Sequence, residues 1–231
     1  MAQRADSDTA RSYNLPCLIA QTLDILGDRW TLLIIRDLMT GLTRYNDILE
    51  SCAGMSPNVL SDRLRRLEAH GIVERHYFKA LPPRVEYTLT EKGWEVRPIL
   101  LALLHWGRRH VEPILEEHVG NRVSHDFVAR VIPAFSFHPE RANGLQARMT
   151  LEIQDSPDCN TWTFDIHDGH LHPRRNGAPD ADVHLKTDTA GFFKFIRGQA
   201  RAEEVGQLTG SPELAAAIQA CFRTADPELE N

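Results

Sequence analysis

Cysteine is scarce in this chain: four residues, Cys17, Cys52, Cys159 and Cys221, stand far apart among 231, with no CxxC spacing. That excludes a disulfide framework and the usual zinc-binding spacings. Long apolar runs are missing too. The stretch "LLIIRDL" is broken by Arg36 and Asp37, far short of the roughly 20 residues a membrane span requires. The polar start "MAQRADSDTARSYN" lacks the apolar centre of a secretion signal, so a soluble, cytoplasmic protein with no membrane partner is expected. No GxSxG, P-loop, HExxH or GxGxxG motif occurs, and no carboxylate pair sits at a telling spacing. Neither enzymatic activity nor a cofactor is expected. Repeats and low-complexity segments are likewise missing.

What is present is enough apolar material, 42% of the residues, to bury a core in one large or two modest domains. The net charge of -6 argues against a polyanionic partner until it is divided. Residues 1–118 hold 15 basic and 16 acidic side chains, net -1, whereas residues 119–231 hold 11 and 16, net -5. The window Ser56 to Arg84 has the opposite sign, +3, from six basic residues against three acidic ones. Because salt screens fields beyond roughly 8 to 10 Å, such a local patch outweighs the total.

The segment "LIAQTLDILG" predicts a helix ending at Gly27, and Asp28 is placed to cap a second, "RWTLLIIRDLMTG", which is apolar on nearly every side and therefore buried. Thr43 is the expected cap of a third, "RYNDILES", with Tyr45, Ile48 and Leu49 facing inward. "SPNVLSDRLRRLEAHG" then carries the marks of a helix from end to end. Ser56 is a good N-cap, Pro57 suits the first position, and Gly71 suits a left-handed exit. Leu60, Leu64 and Leu67 fall on one side of it, opposite Asn58, Asp62 and Arg65, with Ser61 and Arg66 on the flanks and Arg63 nearer the apolar side. Beyond Gly71 the period becomes two in "IVERHYF" and "RVEYTL", a hairpin with the tip "KALPP". Thr90 caps a last helix towards His110, kinked or restarted at Pro98.

This order is that of a winged helix-turn-helix, in which a helix about 10 to 12 Å across enters a DNA major groove about 12 Å wide. Asn58, Asp62 and Arg65 are the candidate base contacts. Ser56, Ser61, Arg63 and Arg66 are candidates for phosphates, with Lys79 and Arg84 on the wing. "LDILGDRWTLLIIRDLMTGLTRYNDIL", "MSPNVLSDRLRRLEAHGIVER" and "LPPRVEYTLTEKG", together spanning Leu23 to Gly93, resemble the HxlR family of bacterial winged-helix regulators. The resemblance implies that Ser56–Ala69 is the recognition helix, that Ile72–Leu89 is the wing, and that the first helix and the helix after Thr90 form a homodimer contact. It also implies a redox-sensing candidate in Cys17, just before the first helix, where a dipole lowers a thiol pKa.

The second half reads as strands, "LQARMTLEIQ", "NTWTFDIH", "HLHPR" and "ADVHLKT", with a turn at Asp168–Gly169. The helices "TAGFFKFIRG" and "SPELAAAIQACF" follow, giving an α+β domain with helices over one face of a small antiparallel sheet. Its "WTFDIHDGHLH", "ADVHLKT" and "FFKFIRG" are similar to sterol carrier protein-like domains. Between Gly198 and Ser211 the chain is shorter than that family, predicting the loss of one strand. The resemblance implies an apolar cavity, for which Phe192, Phe193, Phe195 and Ile196 are the pocket candidates, although such a stripe is first of all core. His167, His170 and His172 are close enough in sequence to hold a metal, but histidines beside an exposed turn are ordinarily solvated, and no metal is expected.

The reading is a regulator with a winged-helix domain at 1–118 and a sterol carrier-like domain at 119–231. It binds a pseudo-palindromic double-stranded operator as a homodimer, with the second domain serving either an apolar effector or further dimer contacts. The competing readings are a lipid or apolar-metabolite carrier and a redox regulator acting through Cys17.

Overall fold

The computed structural model describes residues 12–79, 83–111, 125–142, 144–155 and 160–222. The chain divides into two compact units, Met1–Leu38 with Thr43–Ala102, and Met39–Leu42 with Leu103–Asn231. The boundary expected between residues 118 and 119 lies outside the described residues.

The first unit runs α1 (Leu18–Leu26), α2 (Thr31–Met39), α3 (Tyr45–Ser51), α4 (Pro57–Ala69), β1 (Val73–Phe78), β2 (Arg84–Leu89), α5 (Glu91–Trp94) and the start of α6 (Arg97–His110). Ile34 and Ile35 of α2, Ile48 of α3 and Leu60, Leu64 and Leu67 of α4 are almost entirely buried. Three helices therefore meet around one apolar centre. Asp28 starts α2 as expected, its carboxylate accepting from the Trp30 and Thr31 backbone N–H groups at 2.9 and 3.2 Å. The break at Pro98 is also there: α5 ends at Trp94 and α6 begins at Arg97.

Helix α1 ends at Gly27 as expected, with a φ of -80° there, and a Cβ at that position would lie 2.5 Å from the Leu23 carbonyl oxygen. One local expectation fails. Thr43 does not cap α3; Arg44 holds that position without a side-chain bond. Residues 43 and 44 are instead drawn to the wing, where the Tyr87 N–H donates to the Thr43 carbonyl at 2.8 Å and Arg44 bridges Glu86. Pairing with the sheet satisfies backbone groups that a cap would otherwise have to serve.

The second unit contains α7 (His125–Ser136), β3 (Ala147–Ile153), β4 (Asn160–His167), β5 (His170–Arg175), β6 (Val183–Thr187), α8 (Thr189–Ile196), α9 (Ala202–Val205), β7 (Gly206–Gly210) and α10 (Pro212–Ala220). The sheet order is β5-β4-β3-β6-β7. Two expectations are corrected here. The strand predicted to be lost between Gly198 and Ser211 is present as β7, and the sheet is mixed, because β3 pairs with β6 in parallel. Gly206–Gly210 holds two glycines and a lone leucine, so it carries too little alternation to be read as a strand; its pairing with β6 makes it one. Met149, Leu151, Trp162, Phe164, Val183 and Leu185 form the buried side of the sheet, with α7 packed on β4 and β5 and α10 on β3. The other side is polar. There Asp165, 13% exposed, is held by Arg148 of β3 and Arg174 of β5.

Candidate nucleic-acid interface

Helix α4 is built as its sequence predicts. The Ser56 hydroxyl accepts from the Val59 N–H at 3.4 Å, Pro57 occupies the first turn, and Gly71 takes a φ of +65°. With the three leucines turned inward, Asn58, Ser61 and Arg65 are exposed, and Arg65 keeps 76% of its side chain in solvent. Asp62 is half-buried between two arginines, within reach of Arg65 Nη2 and 3.3 Å from Arg63 Nη1.

The other two arginines behave differently. Arg63 is turned inward, with 12% of its side chain exposed, and its Nε lies 3.1 Å from Asp28 Oδ2. Its contacts are ion pairs at angles that do not make hydrogen bonds. Arg66 is half-buried, and its Nη2 donates to the Asp24 carbonyl at 3.4 Å. The fold therefore places Asn58, Ser61 and Arg65 together on the outer stripe, and directs Arg63 and Arg66 to the body of the unit.

Tyr45 was legible only as a core residue. Its hydroxyl donates to the Pro57 carbonyl at 2.6 Å and lies 3.0 Å from Ser61 Oγ. An apolar ring inside with a polar tip at the edge is the ordinary use of tyrosine, and here it pins the first turn of α4. At the other end, Lys92 Nζ donates to the His70 carbonyl at 2.8 Å, a cation placed at the negative end of the helix dipole.

The hairpin pairs Val73 with Leu89 through Phe78 with Arg84 in an antiparallel register. Lys79 and Arg84 are exposed near its free end, and Ala80 to Pro82 lie outside the described residues. Arg84 Nε is 3.1 Å from Glu86 Oε1, and its guanidinium sits 4.7 Å from the Phe78 ring centre. Tyr77 is 61% exposed beside them. Gly93 lets α5 meet the base of the wing, since a Cβ there would lie 2.3 Å from the Ile72 carbonyl oxygen.

Cys17 is a free, exposed thiol at the N-cap position of α1, where it makes no side-chain cap bond. Leu15, Leu18, Ile19 and Leu23 around α1, and Ile99, Leu103, Leu104 and Trp106 on α6, are exposed apolar residues.

In the second unit the aromatic stripe of α8 is mostly core. Phe192 and Phe195 are 1% exposed and Ile196 3%, while Phe193 is half-buried under the Arg197 guanidinium. An open cleft of about 590 Å³ in this unit is lined by other residues, among them Pro139, Glu140, Leu145, Gln146 and Asp168, and nothing in the local sequence pattern announces it. His167 stacks on His172 with ring centres 4.2 Å apart, and His170 stands edge-on at 6.3 Å. Burial, then the neighbouring His167 and His170, pulls the His172 pKa down to about 4. Among the described residues no group of three His, Cys, Asp or Glu is arranged to hold a metal ion, and no helix is long and apolar enough to cross a membrane.

A capped, leucine-anchored helix beside a two-stranded flap defines the class of winged helix-turn-helix DNA-binding proteins. Residues 25–115 match the HxlR-like helix-turn-helix family. The HTH-type transcriptional regulator sll1512 of Synechocystis sp. is 37% identical over 109 residues, which cover 47% of this chain and 81% of that one. YybR of Bacillus subtilis, another HTH-type transcriptional regulator, is 34% identical over 110 residues, covering 48% and 87%. The reduced form of the B. subtilis regulator YodB is 36% identical, with 43% of this chain and 98% of that chain covered and a TM-score of 0.38. The chain belongs to the HxlR-like helix-turn-helix family of transcriptional regulators.

Proposed function

We propose that the protein is a homodimeric regulator that reads a pseudo-palindromic operator with α4 in the major groove and the wing along the backbone. One observation carries this reading. The three leucines of α4 are inside, so Asn58, Ser61 and Arg65 are left to solvent on a helix whose start is fixed by Ser56 and Tyr45. In this reading Arg65 and Asn58 meet base edges, Ser56 and Ser61 meet phosphates, and Lys79 and Arg84 track the neighbouring backbone. Arg63 and Arg66 serve to seat the helix. The exposed apolar residues of α1 and α6 suit burial against a second copy, and two helices one DNA turn apart, roughly 34 to 36 Å, would give the specificity that a single copy lacks.

The second unit, with its helix-covered sheet, takes the role of effector binding or of further dimer contact, in the manner of sterol carrier-like domains. An effector controls DNA only if it binds one spacing of the two reading helices better than the other. The exposed Cys17 supports a second route of control, by thiol oxidation, which Cys17→Ser removes while leaving operator binding in place.

The test is selection of duplexes from a random-sequence pool, followed by titration across salt. A palindromic consensus bound as a dimer, with affinity falling steeply as salt rises, is the expected result. Absence of any sequence preference overturns the reading, and retention of lipid without DNA binding replaces it with a carrier.

A further inference from the structure

Asp62 places a negative charge in the middle of the surface assigned to DNA, where it repels phosphate. Its neighbours explain the placement. Asp62 Oδ1 accepts from Arg65 Nη2 one helical turn along α4, while Oδ2 lies 3.3 Å from Arg63 Nη1. Arg63 Nε is in turn 3.1 Å from Asp28 Oδ2. Asp28 is fixed by the Trp30 and Thr31 backbone N–H groups at the start of α2. Alternating charges thus run from the cap of a buried helix, through an arginine only 12% exposed, to a guanidinium 76% exposed on the outer stripe.

An exposed pair like Asp62–Arg65 contributes little to stability in itself. What it does is orient. A free arginine reaches phosphates in many directions, whereas the bidentate contact of a guanidinium with guanine O6 and N7 needs its plane held. Asp62 takes one of the two N–H groups of Arg65 Nη2, leaving the other, with the nitrogen beside it, as a pair of parallel donors, and Asp62 itself is steadied by Arg63 from within the unit. We propose that Asp62 is a positioning residue that makes Arg65 the sequence-reading group of α4, giving up non-specific affinity for preference at one base pair per half-site. This rests on the DNA-binding reading above.

The experiment uses the full-length protein, duplexes selected from a random-sequence pool with the unmutated chain, and scrambled duplexes of the same composition. Affinity for both is measured across salt for Asp62→Asn, Arg65→Ala and the double variant. Asp62→Asn should bind scrambled DNA more tightly and with a steeper salt dependence, yet lose about 5- to 150-fold of its preference, the amount one base contact supplies. Arg65→Ala should lose the same preference while binding scrambled DNA more weakly, and the double variant should lose no further preference. Undiminished preference in Asp62→Asn overturns the inference alone, and so does a fall in affinity for both duplexes together. Asp62→Ser is the replacement should Asp62→Asn fail to give a normal melting curve. An unmutated protein without any preference overturns the DNA-binding reading itself.

Discussion

Helices α4 and α8 both begin with a side-chain cap and both bury one face, but α4 leaves Asn58, Ser61 and Arg65 in solvent whereas α8 turns two of its three phenylalanines, Phe192 and Phe195, to 1% exposure. The stripe of α4 is polar, so water tolerates it and a charged partner can displace that water. The stripe of α8 is aromatic, and the neighbouring helices α7 and α9 provide a place to bury it. Exposure on one helix and enclosure on the other follow from the same rule, that apolar area leaves water wherever a surface is available to receive it.

The contrast is broken most forcefully in α8. Phe192→Ala should destabilise the second unit by about 3 to 5 kcal/mol through lost burial and a cavity, read as a large drop in the urea midpoint followed by Trp162 fluorescence. A loss below about 1 kcal/mol would make this face the wall of a ligand cavity instead of core. The caps give a finer comparison. Asp188 Oδ1 accepts the Gly191 N–H at 2.7 Å, whereas Ser56 Oγ accepts the Val59 N–H at 3.4 Å. A charged acceptor at the shorter distance is the stronger, so Asp188→Ala should cost about 1 to 2 kcal/mol and Ser56→Ala about 0.5 to 1. Equal losses in thermal melts would remove that distinction.

The smallest effect concerns pH and is confined to the second unit. His172 has its folded pKa lowered from 6.5 to about 4 by burial and by the adjacent imidazoles. Its neutral form is therefore the one the fold prefers. The associated stability is intact above pH 6.5 and declines as pH falls from there towards 4. Solvent at the half-buried ring trims the size of the decline. His172→Gln should flatten this limb of the pH–stability profile, and an unchanged limb would show that the His167–His172 stack does not control it.

Much of the first unit was legible because its signals act within one turn of chain. Ser56 and Pro57 mark the start of α4, Gly71 its end, and the leucine spacing its inner face; each depends on neighbours three or four residues away. The wing was legible from a change of period. Helical spacing set Arg65 opposite the leucines, Arg66 on a flank and Arg63 nearer the apolar side, but the groups that hold the last two inward, Asp28 and the Asp24 carbonyl, were not legible, because they belong to α1 and the turn after it. The Tyr45 hydroxyl was hidden in the same way, its ring being legible as core and its bonds to Pro57 and Ser61 not.

By itself the sequence determined the helices and wing of the first unit, strands β3 to β6 and helices α8 and α10 of the second, where α2, α4 and α10 start, and which stripe of α4 stays polar. Local sterics, caps and hydrophobic period decide those matters with no distant partner. Only the tertiary structure decided that residues 43 and 44 join the wing, that Gly206–Gly210 becomes a fifth strand, and which groups hold Arg63 and Arg66 inward. Each of these depends on a hydrogen bond or ion pair between segments remote in sequence, and side-chain direction is settled by whichever such partner the fold brings near.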